Sequence, residues 1–373
     1  MPFELIQSNE NGVAPAVIKV IGVGGGGGNA VQYMLDRELA GVGLYCANTD
    51  RQALDNSQVK NKIQLGKEVT RGLGAGANPE VGHKAAVEDR EEILSMLEGA
   101  DMLFIAAGMG GGTGTGAAPV IAEIAKQAGI LTVAIVTKPF TFEGAKRSRV
   151  AMEGIEELGK YVDSLITIHN DRLLSVMGKN APISQAFAMA NAVLYGAVQG
   201  ISDLIVRPGL INVDFADVRT VMSERGVAMM GAGIGKGENR AQEAAEKAIS
   251  SPLLENIDLS GAKGVLVSIT SDSNFSMAEY EVIGDIVRGI IDENSTVIIG
   301  TTIDDDIQDE LRVTIVATGI DGLGAEKIEI PSELGQPSIP NVAQAEPAPR
   351  AEPKKKHSGI DFEIPTFLRK KSD

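Results

Sequence analysis

The chain has 373 residues, with 34 Lys and Arg against 50 Asp and Glu, a net charge of −16 and 43% hydrophobic residues. That length suits two domains with tails, and the composition excludes wholesale disorder. The acid excess argues against bulk nucleic-acid binding, and a single cysteine, Cys46, excludes a disulfide framework and fits a reducing cytosol.

Residues 1–15 are polar and read as a flexible N-terminus without a secretory signal. From Ala16, short β-branched runs alternate with longer amphipathic stretches. The runs are AVIKVIGV (16–23), GLYCAN (43–48), DMLFIAA (101–107), ILTVAIVT (130–137) and DSLITIHN (163–170). Helical patterns lie at 31–39, 81–99, 117–129 and 145–161. This alternation predicts βαβ units and a parallel sheet covered on both faces. Residues 183–206 are almost uncharged and read as one buried spine helix, about 36 Å long at 1.5 Å per residue. Beyond it, strands at 264–270, 296–303 and 311–319 and helices at 241–254 and 277–293 predict a smaller α+β unit. No uncharged apolar run reaches the roughly 18 residues of a membrane span; the longest candidate, 117–136, is broken by Glu123 and Lys126. Six of the 15 prolines fall between Pro331 and Pro353, a linker composition. The last 14 residues regain large apolar side chains and end in a basic cluster.

Gly accounts for 44 residues, well above the usual share of roughly 7%, and the excess is clustered. The first cluster, GVGGGGGN (22–29), follows a strand and precedes a helix. Without side chains, its backbone N–H groups can approach a phosphate at a helix N-terminus. Gly22, Gly24 and Gly27, with Asp50 further on, also match a dinucleotide-binding fingerprint. A second cluster, GMGGGTGTG (108–116), ends the neighbouring strand, and a third, GLGAGAN (72–78), again precedes a helix. Three such loops suit a nucleoside triphosphate better than the one pyrophosphate of a nicotinamide dinucleotide. GIGKGE (233–238) lacks the pattern of a P-loop and reads as a surface turn. His83, His169 and His357 are too scattered to predict a metal cluster. With no P-loop lysine, the phosphates would be held mainly by backbone donors, by Mg²⁺ carried on the phosphates, and by Arg147.

NVDFAD (212–217) gathers Asn212, Asp214 and Asp217. Asp214 and Asp217 share a face if the segment is helical, yet the same spacing suits an N-cap with a first-turn acid. On spacing alone both readings stand.

GGGTGTG (110–116), GVGGGGGNAV (22–31), NTD (48–50), GAGANPEVG (74–82), TKPFTFEG (137–144) and NVDFADVRTVM (212–222) appear in order. On these motifs the chain resembles the FtsZ family, the bacterial cell-division GTPases of the tubulin superfamily. The likeness runs from about Ile18 to Gly319 and resumes in the last 14 residues. It implies a Rossmann-like α/β GTPase domain with a parallel sheet, a long central helix, a second α+β domain and a disordered linker and tail. The expected divisions are 1–15, 16–182 (GTP binding), 183–213 (central helix and catalytic loop), 214–320, 321–359 (linker) and 360–373 (tail). By resemblance, Gly25, Gly26, Gly27, Gly28 and Asn29 surround the α- and β-phosphates of GTP or GDP, with Asn48 nearby. Gly111, Gly112, Thr113, Gly114, Thr115 and Gly116 form the signature loop at the β- and γ-phosphates, and Gly76 and Ala77 sense the γ-phosphate. Glu143 and Arg147 match the ribose contacts. Asn170, Phe187 and Asn191 match the guanine pocket. The chain departs from many relatives at Ala192 and His169 and in its short linker.

The spine begins at that pocket and carries Asn212, Asp214 and Asp217 beyond its far end. Those acids cannot reach their own γ-phosphate, but a head-to-tail neighbour could present them. Such an interface does not close and grows a filament. The resemblance further implies a cytoplasmic filament forming a ring at the division septum. The tail Ile360, Phe362, Ile364, Pro365, Phe367, Leu368 and Arg369 would dock into partners such as the actin-like membrane anchor FtsA and other regulators, with membrane contact only indirect.

Overall fold

In a computed structural model, residues 15–178, 182–224, 226–254 and 259–320 are described. The expected N-terminal segment, linker and tail peptide lie outside them. The strands are β1 (Ile18–Val23), β2 (Val42–Asn48), β3 (Asn61–Gln64), β4 (Met102–Gly108), β5 (Leu131–Lys138), β6 (Ser164–His169), β7 (Val227–Lys236), β8 (Gly264–Ser271), β9 (Thr296–Ile303) and β10 (Glu310–Ile320). The helices are α1 (Gly24–Asp36), α2 (Arg51–Asn56), α3 (Lys67–Thr70), α4 (Pro79–Glu88), α5 (Arg90–Leu97), α6 (Thr113–Gln127), α7 (Ala145–Gly159), α8 (Asn170–Met177), α9 (Ile183–Val206), α10 (Phe215–Met222), α11 (Arg240–Ile249) and α12 (Met277–Arg288).

All ten strands lie in one sheet, ordered β3-β2-β1-β4-β5-β6-β7-β10-β8-β9. β1 pairs in parallel with both β2 and β4, and the parallel run continues through β5 and β6. Only β10 runs against its neighbours β7 and β8. Both faces of the parallel part are covered, which explains its unbroken apolar strands. Val20, Phe104 and Ala106 face the core under α1 and α9, while Ile21, Leu103 and Ile105 face the core under α4 to α7. A third core joins α11 and α12 to β7, β8 and β10.

Several expectations need correction. The pattern over 81–99 is two helices, broken at Asp89, whose carboxylate accepts the Gly66 N–H at 2.6 Å. GIGKGE is no surface turn: through Lys236 it belongs to β7. Its glycines let α11 lie on the strand, since a Cβ at Gly233 would stand 2.1 Å from the Ala244 carbonyl and one at Gly235 would stand 2.0 Å from that of Arg240.

The spine is α9, at the expected boundaries, but its burial is one-sided at the start. Ile183 is 64% exposed, whereas Leu194, Ala197, Val198 and Ile201 are buried. It is also long and apolar enough to cross a membrane, against the expectation above, but half of its most apolar stretch is buried inside the protein. Tyr195 meets Tyr33 of α1 edge-on at 5.9 Å, and Gly200 passes Thr314 of β10.

Near the end of α9, Asp203 is buried and ion-paired with Arg207 at 3.2 Å; Arg207 also reaches Asp304 at 3.6 Å. Burial pushes the Asp203 carboxyl up from 3.8 to about 6, against the pull of Arg207 and with a further push from Asp304. A carboxyl whose native pKa is raised holds its proton more tightly when folded. Its stabilising contribution is therefore complete below about pH 4 and is lost as pH rises towards 6. The full loss is on the order of 3 kcal/mol. Asp203→Asn should flatten that part of the stability curve in denaturant titrations between pH 4 and 7. Parallel curves for variant and wild type would contradict it.

Candidate functional site

Three backbone-rich segments meet beyond the carboxyl ends of β1 and β4. The first is not a loop ahead of a helix, as the sequence suggests, but the helix's own first turns, because α1 begins at Gly24. Gly24 takes φ +71°, which turns strand into helix, and a side chain there would stand 2.9 Å from the Gly114 nitrogen. A Cβ at Gly27 would stand 2.2 Å from the Ala106 carbonyl, so this residue seats the helix on β4. At Gly25 and Gly28 a Cβ would meet nothing within 4 Å, so their backbone faces open space. A cleft of about 440 Å³ runs alongside, lined by Gly25, Gly28, Asn29 and Asn48 among others.

The second segment leads into α6. The Thr115 hydroxyl accepts the Gly110 N–H at 2.8 Å, and a Cβ at Gly116 would stand 2.0 Å from the Pro79 carbonyl. These two residues therefore shape the loop and its packing on α4, while Gly111 faces open space. The third segment abuts the second: a Cβ at Gly112 would stand 2.7 Å from Ala75 Cβ. Gly76 and Ala77 both adopt φ +57° there. Thr49 joins the second and third segments, with its hydroxyl 2.6 Å from that of Thr113 and its carbonyl accepting the Gly74 N–H at 3.2 Å. Sequence reasoning missed Thr49, although it lies within the quoted NTD.

α1 and α6 both start here without a side-chain cap, whereas α4 beside them is capped by Asn78. Their free N–H groups and positive dipole ends suit an anion. Asp50, by contrast, caps α2 by accepting from the Gln52 and Ala53 N–H groups. Its carboxylate is thus engaged, which counts against the dinucleotide reading.

A separate cluster at the start of α9 is aromatic. Glu143 accepts the Phe140 N–H at 2.9 Å and pairs with Arg147 at 3.0 Å. Phe140 is buried, stacks on Phe142 at 4.9 Å and meets Phe187 edge-on at 5.3 Å. Phe187 stays 43% exposed near the start of α9, and Asn191, four residues on, shares its face. Asn170 opens α8, and its buried Oδ1 has no hydrogen-bond partner. A buried acceptor left unpaired is costly, and a ligand N–H or O–H would satisfy it.

The acids lie beyond the other end of α9, about 36 Å along its axis. Asn212 Oδ1 accepts the Gly209 N–H at 2.9 Å. Asp214 is the N-cap of α10 and accepts the Asp217 N–H at 2.8 Å. The capping reading is therefore realised for Asp214. Asn212, Asp214 and Asp217 are all exposed, so the acids are also accessible from outside. Among the described residues no group of three or more His, Cys, Asp or Glu is placed to hold a metal ion.

The sequence profile of the Tubulin/FtsZ family GTPase domain matches residues 17–178, and that of the FtsZ family C-terminal domain matches 226–321. The chain belongs to the FtsZ family. Cell division protein FtsZ of Coxiella burnetii is 54% identical, covering 98% of this chain and 99% of that one. FtsZ of Pseudomonas aeruginosa is 55% identical over 99% of this chain and 92% of its own. Among solved structures, an FtsZ dimer from M. jannaschii superposes with a TM-score of 0.79 at 44% identity, covering 83% of this chain and 89% of that chain. A GTPγS-bound protofilament of CetZ2 from Haloferax volcanii shares the fold at 21% identity, with a TM-score of 0.69 over 82% of this chain and 93% of that one. The FtsZ-type GTPase domain thus contains the three converging segments, and the nicotinamide alternative finds no support.

Proposed function

We propose that this chain binds GTP across the three segments and hydrolyses it in head-to-tail filaments that form the division ring at the septum. The observation that carries this reading is a separation along α9: the glycine segments and the aromatic cluster around Phe187 lie toward its start, and the exposed Asn212, Asp214 and Asp217 lie beyond its end. The dimer and protofilament reported for relatives support self-association.

In this reading the backbone N–H groups of Gly25–Gly28 and Gly111–Gly114 take up phosphate charge at two helix N-termini. Glu143 and Arg147 hold the ribose, Phe187 stacks on the base, and Asn170 and Asn191 read its edge. Asp214 and Asp217 of the next subunit orient the attacking water and draw on its proton. Mg²⁺ bound to the phosphates would supply further neutralisation of their charge. Residues 360–373 would dock into an FtsA-like anchor or other regulators, in the cytoplasm.

Sedimentation and phosphate release, with GTP or ATP supplied, test this. GTP alone should drive both, and a chain lacking 360–373 should keep both. Equal response to ATP, or hydrolysis without assembly, would contradict it.

A further inference from the structure

We infer that Thr301, on β9, is a positioning residue for hydrolysis: it fixes the loop that presents Asp214 and Asp217 to the neighbouring subunit. The inference rests on the reading of those acids given above.

The loop lies flat on β9. The Ile211 N–H donates to Thr301 Oγ1 at 2.8 Å, and the Thr301 N–H donates back to the Ile211 carbonyl at 3.0 Å. A Cβ at Gly209 would stand 1.5 Å from the Thr301 carbonyl, so this residue must be glycine for the loop to lie so close. A Cβ at Gly300 would stand 2.5 Å from Val213 Cγ2, which seats the loop's one buried side chain against the strand. Upstream, Arg207 ties the end of α9 to Asp304, just past β9. Downstream, the last turn of α10 is held twice: the Thr318 hydroxyl donates to the Val221 carbonyl and the Ser164 hydroxyl to that of Met222, each at 2.7 Å.

Thr301 thus supplies two hydrogen bonds that tie the acids' own loop to a strand, while Asn212 and Asp214 brace the segment from within through the Gly209 and Asp217 N–H groups. Thr301 is buried, at 4% exposure, so its influence on the acids runs through the loop it holds. Aligning an attacking water is sensitive to small displacements; misplacement by about 1 Å costs up to a hundredfold in rate. The loop's geometry is therefore where binding and turnover can be separated.

The test uses the full-length protein and three readouts: GTP affinity, critical concentration for assembly with a non-hydrolysable GTP analogue, and phosphate release per assembled subunit. Thr301→Val keeps the shape and removes the acceptor. It should leave the first two within about twofold and lower the third by about tenfold, the order of one well-placed hydrogen bond. Thr301→Ser, which retains the oxygen, should restore turnover. A residue that served only stability would lower the melting temperature without this split and without rescue by serine.

Should Thr301→Val fail to fold, Gly209→Ala decides the matter, because its Cβ would meet the Thr301 carbonyl and push the loop off the strand. Full turnover in assembled Gly209→Ala or Thr301→Val filaments overturns the inference. Asp217→Ala, run alongside, separates two failures. If it too turns over normally, the role given to the acids is wrong. If it is inactive while both loop variants are normal, only the positioning role falls.

Discussion

Replacing Asp217 by alanine should leave GTP affinity and assembly within about twofold of wild type while lowering hydrolysis by ~100-fold or more. Asp217 is the cleaner of the two acids to remove. Asp214 caps α10 through its side chain, so its loss would also cost about 1 kcal/mol of helix stability. Asp217 contributes only its backbone N–H to that cap. Its exposed carboxylate sits in the first helical turn, where its dipole interaction is worth about 0.3–1 kcal/mol. A fold this size tolerates that loss, so a large fall in turnover could not be a stability effect. Phosphate release measured on pelleted filaments checks it, and wild-type turnover would remove Asp217 from the mechanism.

The second large effect is a contrast between two glycines of the cradle. At Gly27 the space for a Cβ is taken by backbone: the Ala106 carbonyl at 2.2 Å and Gly22 C at 2.9 Å. Neither can give way without moving α1 off β4, so Gly27→Ala should cost about 3 kcal/mol or more of stability. At Gly111 nothing lies within 4 Å. Gly111→Ala should therefore melt within a degree or two of wild type, yet bind GTP at least about tenfold more weakly, because its methyl occupies the space the phosphates need. Thermal melts and nucleotide titrations on both variants read out the difference. Normal GTP affinity in Gly111→Ala would mean that the phosphates lie elsewhere.

These cases show what the sequence could and could not reveal. The parallel sheet was legible because β-branched runs such as ILTVAIVT have few other uses, and α9 because its apolar pattern is long and bounded by Pro182 and Pro208. β7 was missed because Gly231, Gly233 and Gly235 look like turn residues. Their cause is the close approach of α11, a tertiary contact that no local pattern carries. The short β3, α2 and α3 are too brief for periodicity to register. At the site, the glycine clusters marked where backbone can come close to backbone or to a ligand, but not the division of labour among them. Gly27, Thr115 and Gly116 pack and shape, whereas Gly25, Gly28 and Gly111 face open space, and only neighbouring backbone distinguishes them. The Asp214 cap was legible as one of two readings, and the structure shows that capping and exposure coexist. Thr49 sits inside the NTD motif but its contacts do not show there, and Thr301 lies in an ordinary strand run, because each makes its hydrogen bonds to a loop distant in sequence.

The central claim is that hydrolysis needs two subunits, one supplying the cradle and the next supplying the acids. The most direct measurement is phosphate release per subunit across a dilution series of the wild-type protein in saturating GTP, with assembly followed in the same samples. A shared site predicts negligible turnover at concentrations where the chain is monomeric and a steep rise where filaments appear. A rate per subunit that stays constant down to fully monomeric protein would contradict it.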